Sequence, residues 1–161
     1  IEACKLLAEK HPEWKESLGV VVFGNQSQQL QDLIPFRVYP LPYIKNEHEL
    51  VDIYNAVDLF VIPSLEENLP NMVMEAMSCG VPCVGFNTGG IPEMIDHLHN
   101  GYVAQRKSCE DLANGIHWVL TEPEYAELSA QACRKAIGNY SESIIAKKYT
   151  DVYNKITGKY A

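Results

Sequence analysis

Residues 63–80 read PSLEENLPNMVMEAMSCG, a polar turn that runs into an apolar helix. The apolar run before them is predicted to form a strand over Asp58 to Ile62, and Pro63 ends its ladder of hydrogen bonds. The helix is predicted from Pro70 to Ser78 and stops at Gly80. The segment is therefore a strand, a turn and a helix in direct succession.

Two glutamates in this unit stand out. Glu67 lies in the turn, and Glu75 lies about one and a half turns into the helix, where its neighbours are apolar on nearly every face. Glu75 therefore points to solvent from one exposed edge, pairs with a lysine, or binds a ligand. Glu67 is either an ordinary turn carboxylate, a role open to Glu66 as well, or a ligand-binding group.

The free N–H groups at the start of this helix attract anions, and carboxylates accept hydrogen bonds from hydroxyl groups. Together they suit a molecule with a central diphosphate and a hydroxylated ring at each end. Nucleotide sugars have this form.

Strand and helix patterns alternate along the whole chain, which predicts repeated βα units and a mostly parallel sheet. The predicted helices span residues 1–10, 26–33, 47–55, 70–78, 109–120, 122–138 and 141–156, and the predicted strands span 18–23, 37–39, 58–62, 82–86 and 102–104. The expected fold is a Rossmann-like α/β domain with helices on both faces, covering residues 1–161. Ligands on such sheets bind beyond the carboxyl ends of the strands.

The composition excludes several classes of partner. A net charge of -8 disfavours nucleic-acid binding. The longest apolar runs are far shorter than the roughly 20 residues that a membrane helix requires. Five scattered cysteines are typical of a reducing cytoplasm, and neither they nor the five histidines have the spacing of a metal site. We expect neither a metal nor a cofactor.

The 63–80 segment, with Gly89-Gly90-Ile91-Pro92-Glu93 and Asn100-Gly101 downstream, resembles the glycogen-synthase-like retaining glycosyltransferases, also called glycosyltransferases group 1 or family four. The family pattern is Pro-Ser, Glu, seven residues, Glu-Ala-Met, then small-Gly-x-Pro and Gly-Gly-x-Pro-Glu. The resemblance covers nearly the whole chain, from residues 1–3, which resemble the end of a family helix, to residues 149–156, which resemble the family's closing helix. It implies the C-terminal, donor-binding half of an enzyme with two Rossmann domains (GT-B).

The resemblance assigns roles to both glutamates. Its seven-residue spacing selects Glu67, which is expected against the donor sugar and is the candidate catalytic residue. Glu75 is expected to accept hydrogen bonds from the ribose hydroxyls.

Other expected contacts lie after the first two strands. Gly24-Asn25 resembles the family's glycine turn near the phosphates. Tyr43 and Ile44 fall where the family lines the nucleobase pocket, with Pro42 in place of the usual glycine.

Between the glutamates, Asn68-Leu69-Pro70 replaces the Gly-Phe-Gly of many family members. Pro70 suits the first helical position, where its missing N–H costs little. The amides of Asn71 and Met72 then become the candidates for holding the diphosphate. This difference from the family pattern is expected to change which sugar is preferred more than the class of activity.

The activity implied is transfer of a hexose from a nucleoside diphosphate sugar to a glycan or lipid-linked acceptor, with retention of configuration. Bacterial polysaccharide or lipopolysaccharide synthesis is the expected setting. The resemblance implies that the family's cationic clamp, the strand before it and the acceptor-binding domain belong upstream of Ile1, so the chain alone is expected to be inactive and to bind donor weakly. The full enzyme is expected in the cytoplasm, with any membrane contact made by its other domain.

Two rival interpretations remain open. One is a nucleotide-sugar epimerase or a phosphorylase of the same fold, and the other is a non-enzymatic flavodoxin-like domain. A flavodoxin-like domain should not bind a nucleoside diphosphate at the helix between Glu67 and Glu75.

Overall fold

The computed structural model describes residues 1–24 and 27–158. Parallel strands alternate with helices in the predicted order. The strands are β1 (Gly19–Phe23), β2 (Arg37–Leu41), β3 (Phe60–Ile62), β4 (Cys83–Phe86) and β5 (Gly101–Ala104). The helices are α1 (Glu2–Lys10), α2 (Glu47–Asn55), α3 (Asn71–Ser78), α4 (Ile91–Met94), α5 (Cys109–Thr121), α6 (Tyr125–Tyr140) and α7 (Glu142–Thr157).

Three short elements differ from the sequence-based expectation. The helix predicted over 26–33 is a 3-10 turn, Ser27–Leu30, because only Leu30 and Leu33 are apolar in this stretch and Leu33 stays exposed, which leaves too little apolar surface to bury as an α-helix. Its first predicted residue lies outside the described residues. A second 3-10 turn, Pro12–Lys15, and the single-turn helix α4 were not predicted as separate elements. Each has a proline at its start, where the fixed φ favours a helical turn.

The strands form two parallel sheets. β1 pairs with β2, and β4 lies between β3 and β5. A doubly wound sheet of six strands has the spatial order 3-2-1-4-5-6. The pair β1–β2 corresponds to its second and third strands, and β3, β4 and β5 correspond to its fourth, fifth and sixth strands. Among residues 1–24 and 27–158, no strand lies between β1 and β3, so the single sheet that the pattern predicted is divided there.

Helices cover both faces of the three-stranded sheet, as predicted. All four residues of β4 are buried, and successive side chains point to opposite faces. Val84 and Phe86 pack in the core formed with α1 and α5, whereas Cys83 packs in the core formed with α3, α4 and α6. Burial on both faces explains why β4 is a continuous apolar run rather than an alternating one.

Helix α3 is held tightly against its neighbours. Val73, Ala76 and Met77 have no exposed surface, and they pack with Ala132 and Ala136 of α6. Small alanine side chains on α6 allow the two helices to approach closely. The apolar face of α3 therefore fixes the direction in which its other face, and Glu75, point.

In the described part of the chain, no helix is both long and apolar enough to cross a membrane.

Candidate functional site

The loop between β3 and α3 lies at the carboxyl edge of the three-stranded sheet and carries Glu67. Glu67 is half-buried, whereas Asn68 and Leu69 are exposed. Pro70 is buried and precedes the helix, with φ −73° and ψ 118°, and the helix begins at Asn71. The prediction of Pro70 at the first helical position is therefore wrong by one residue, because its extended ψ places it at the N-cap.

The start of α3 presents free amide groups. The carbonyl of Pro70 accepts from the N–H of Val73 at 3.1 Å, and no side chain caps the helix. In residues 1–24 and 27–158, the hydrogen bonds leave the N–H groups of Asn71 and Met72 without a partner, and both residues are exposed. These two amides, at the positive end of the helix dipole, can donate hydrogen bonds to a bound anion.

Glu75 has a partner that the sequence patterns did not indicate. The hydroxyl of Tyr54, on the last turn of α2, donates a hydrogen bond to Oε2 of Glu75 at 3.2 Å. Tyr54 is 1% exposed, and burial, together with the adjacent Glu75 carboxylate, raises its pKa far above the ordinary value. Tyr54 therefore remains a hydrogen-bond donor at any physiological pH, and it orients a carboxylate that is itself only half-buried.

A signal for Tyr54 was present in the sequence. Leu50, Tyr54 and Val57 recur at helical spacing, so they predict an inward-facing stripe. A buried tyrosine hydroxyl usually finds a hydrogen-bond partner. Glu75 has apolar neighbours in the sequence, but no sequence pattern connects it with Tyr54.

Tyr54 also joins the two sheets. Its ring meets the rings of Phe23, at the end of β1, and Phe60, at the start of β3, edge to face, with centroid distances of 6.4 and 5.9 Å. Gly24 follows Phe23 directly. The predicted phosphate turn after β1 is therefore one residue away from a ring that contacts the partner of Glu75.

The predicted nucleobase residues lie beside that turn. Gly24 has φ +119°, a conformation that favours glycine, and its N–H donates to the carbonyl of Pro42 at 3.4 Å. Tyr43, which follows, is 63% exposed, and Ile44 is half-buried. Asn25, also predicted at this turn, lies outside the described residues.

The turn Gly89-Gly90 lies directly beneath the Glu67 loop. The N–H of Gly90 donates to the carbonyl of Asn68 at 2.5 Å. A Cβ added at Gly89 would overlap the carbonyl of Glu67, and one at Gly90 would overlap that of Asn68. Glycine is therefore required at both positions, since any side chain would push the loop that carries Glu67 out of place.

A cleft of about 650 Å³ lies elsewhere, between α6, α7 and the segment after α4. Its cations are already engaged. Lys135 pairs with Asp96, Arg134 pairs with Glu127, and Lys148 donates to the carbonyl of Asn139. Two of its three cations are therefore already neutralised by carboxylates, and the Glu67–Glu75 region, with two unpartnered amides at the start of α3 among the described residues, is the better candidate for binding an anionic ligand.

The chain matches the family described as glycosyl transferases group 1 over residues 1–136. It is 27% identical to an uncharacterized glycosyltransferase of Haemophilus influenzae over 133 residues, which are 80% of this chain and 37% of that protein. It is 30% identical to the N,N'-diacetylbacillosaminyl-diphospho-undecaprenol alpha-1,3-N-acetylgalactosaminyltransferase of Campylobacter jejuni over 115 residues, 71% of this chain and 30% of that protein. The chain thus spans about a third of the length of these relatives.

Among solved structures, the chain is similar to Alr3699/HepE of Anabaena in complex with UDP-glucose. The TM-score is 0.75 at 20% identity, and the alignment covers 94% of this chain and 44% of that one. A likeness at this identity shows the fold, which agrees with the doubly wound arrangement described above. Because the family match covers most of the chain, the protein belongs to the glycosyl transferases group 1 family.

Proposed function

We propose that this chain is the donor-binding domain of a retaining glycosyltransferase, which moves a hexose from a nucleoside diphosphate sugar to a hydroxyl of a glycan or lipid-linked acceptor. The observation that carries the proposal is the arrangement around α3. Two free amides lie at the start of the helix, Glu67 precedes them, and Glu75 follows them, oriented by Tyr54.

Each part of the donor has a matching group. The amides of Asn71 and Met72 hold the diphosphate, aided by cations from the rest of the enzyme. The carboxylate of Glu75 accepts from the ribose hydroxyls. Glu67 contacts the hydroxyls of the sugar and faces the carbon at which the reaction occurs. Tyr43 and Ile44 line the side of the nucleobase.

The proposed reaction breaks the bond between the anomeric carbon and the diphosphate oxygen. The acceptor oxygen bonds to the same carbon on the same face, and its proton passes to the departing phosphate. Glu67 orients the sugar and stabilises positive charge on its ring. No metal is assigned a role, because amides and cations supply the stabilisation of the diphosphate.

The setting is proposed from the named relatives. The Campylobacter jejuni relative is named for a diphospho-undecaprenol acceptor, which supports a lipid-linked acceptor in bacterial surface-glycan synthesis. The relatives' greater length supports an additional acceptor-binding domain in the same polypeptide. We place the enzyme in the cytoplasm, at the inner face of the membrane when its acceptor is lipid-linked.

The test is a calorimetric titration of the whole natural polypeptide that contains these residues, with UDP, GDP and ADP and with their sugar conjugates. Glu75→Gln should weaken the binding of every ligand by about tenfold to a hundredfold, because a hydrogen bond to a charged group contributes about 1.5–3 kcal/mol. Glu67→Gln should weaken only the sugar conjugates. Glu66→Gln, at the exposed neighbouring position, is the matched control and should change neither.

Failure of all three nucleotides to bind would contradict the proposal. Conversion of a bound sugar nucleotide to its epimer, without any acceptor, would favour an epimerase of the same fold instead. Transfer with inversion of configuration, read from the anomeric coupling of the product, would refute the retaining mechanism.

A further inference from the structure

Three hydrogen-bond donors converge on one backbone atom of the Glu67 loop, the carbonyl oxygen of Leu65. Nε and Nη2 of Arg106 lie 3.2 and 3.0 Å from it, and Oγ1 of Thr88 lies 3.1 Å from it. Thr88 follows β4 and Arg106 follows β5, so two neighbouring loops reach the same atom of a third. Three donors saturate the two lone pairs of a carbonyl oxygen.

These contacts hold Glu67 through its backbone. The ion pairs and side-chain hydrogen bonds of the described residues do not include the Glu67 carboxylate. The carbonyl two residues before it, on Leu65, is bound by Arg106 and Thr88, and the carbonyl one residue after it, on Asn68, is bound by Gly90. The loop is thus held on both sides of Glu67, and its carboxylate stays available.

The turn that carries Arg106 is itself anchored. The N–H of Ser108 donates to the carbonyl of Gln105 at 3.0 Å, and Lys107 within this turn has φ +66°. The carboxylate of Asp111, in the first turn of α5, accepts from the N–H of Gln105 at 2.6 Å and from the hydroxyl of Tyr102 at 2.8 Å. A left-handed backbone at lysine persists only where its surroundings impose it.

We infer that Arg106 and Thr88 are positioning residues, which set the place of Glu67 against the donor sugar through the carbonyl of Leu65. The inference rests on the proposed function and extends it to two residues outside the Glu67–Glu75 segment. A displacement of Glu67 by a fraction of an ångström affects the sugar and leaves the nucleotide in place, because the nucleotide is held by α3 and Glu75. A residue needed only for folding would affect both.

The first measurement is the affinity of the whole natural polypeptide for one nucleoside diphosphate and for its sugar conjugate, chosen as the tightest-binding pair from UDP, GDP and ADP. Arg106→Met should weaken the sugar conjugate about fivefold to tenfold and the nucleotide less than about twofold. Arg106→Lys, which keeps one donor, should fall between Arg106→Met and the parent. Thr88→Val should weaken the conjugate selectively, and Thr88→Ser should restore it.

Lys107→Met is the matched control, because it removes the same charge from the adjacent residue. Within residues 1–24 and 27–158, Lys107 makes no side-chain hydrogen bond or ion pair. It should leave both affinities unchanged. A loss equal to that of Arg106→Met would show that charge alone is responsible and would overturn the inference.

The second measurement needs no ligand. Hydrogen–deuterium exchange over residues 64–69 should rise about tenfold or more in Arg106→Met and stay at the parent's level in Lys107→Met. Exchange unchanged by Arg106→Met, or equal weakening of nucleotide and conjugate, overturns the inference while the proposed function stands. If the parent binds no nucleotide, the proposed function fails instead, and the role of Arg106 toward the sugar fails with it, even where exchange still shows that Arg106 holds the loop.

Discussion

The hydroxyl of Tyr54 donates a hydrogen bond to Oε2 of Glu75 across 3.2 Å and so joins the end of α2 to the middle of α3. The ring of Tyr54 is fixed between Phe23 of one sheet and Phe60 of the other. One buried side chain therefore sets the direction of the carboxylate that we assign to the ribose, and it also bridges the point at which the sheet is divided.

Removing the hydroxyl with Tyr54→Phe should weaken binding of every nucleoside diphosphate, with or without sugar, by about threefold, and should lower the free energy of unfolding by about 1 kcal/mol. Calorimetry and chemical denaturation measure the two effects. Tyr125→Phe is the matched control, since it removes a hydroxyl that donates to the carbonyl of Asp58 at 2.9 Å, away from the site. Tyr125→Phe should lower the free energy of unfolding by a similar amount and leave the affinity for nucleotides unchanged. Equal loss of affinity in both variants would contradict the role of Tyr54.

Gly89→Ala should disrupt the Glu67 loop. The added Cβ overlaps the carbonyl of Glu67, and alanine is strained at the φ of +53° found there. We expect a loss of about 1–3 kcal/mol in the free energy of unfolding, together with loss of selectivity for sugar conjugates over free nucleotides.

Gly138→Ala is the control for that glycine, because it lies in α6 and a Cβ there meets nothing within 4 Å. It should stabilise the protein by about 0.5–1 kcal/mol, since glycine is unfavourable inside a helix. Denaturant midpoints compare the two variants. Similar behaviour of both would mean that the Glu67 loop is not held by the glycine turn.

Stability should fall as the pH falls below neutral, through His117. Its ring stacks on His11 at a centroid distance of 4.1 Å and on Trp14 at 5.2 Å. Burial, and to a smaller extent the nearby His11, lowers the pKa of His117 below its ordinary 6.5, although Glu13 opposes the shift. The folded state thus binds the proton less readily than the unfolded state. The stability that the neutral His117 ring contributes is complete above its ordinary pKa of 6.5, and it is lost as the pH falls through the lower pKa of the folded state.

Chemical denaturation between about pH 5 and pH 8 checks this prediction. His117→Gln should flatten the loss of stability on the acid side, whereas His48→Gln, at an exposed position on α2, should leave the slope as it is in the parent. A slope unchanged by His117→Gln would assign the effect to other groups.

These 161 residues alone should show no glycosyl transfer and should bind donor more weakly than the whole natural polypeptide. The chain spans about a third of its relatives, and β1 and β3 do not pair with each other in the described residues. An added parallel strand between them would complete the strand order 3-2-1-4-5-6. Radiolabelled sugar transfer and calorimetry, run side by side, measure the difference. Transfer by the short chain would contradict the prediction.

The order of strands and helices was predictable from the sequence, because it depends on local hydrophobic period and on Gly and Pro punctuation. The segment that carries Glu67 and Glu75 was equally predictable, since all its parts lie within 18 consecutive residues, 63–80. The start of the helix was misplaced by one residue at Pro70, whose ψ depends on how the preceding loop enters α3.

The sequence by itself determined the parallel α/β class and singled out the two candidate glutamates, because the signals for both lie in contiguous residues. Only the tertiary structure decided which residues hold those glutamates. Tyr54 lies 21 residues from Glu75, and Arg106 lies 41 residues from Leu65. Contacts across such separations arise when the carboxyl ends of different strands meet at one edge of the sheet. No local pattern in the chain records which side chains will meet there.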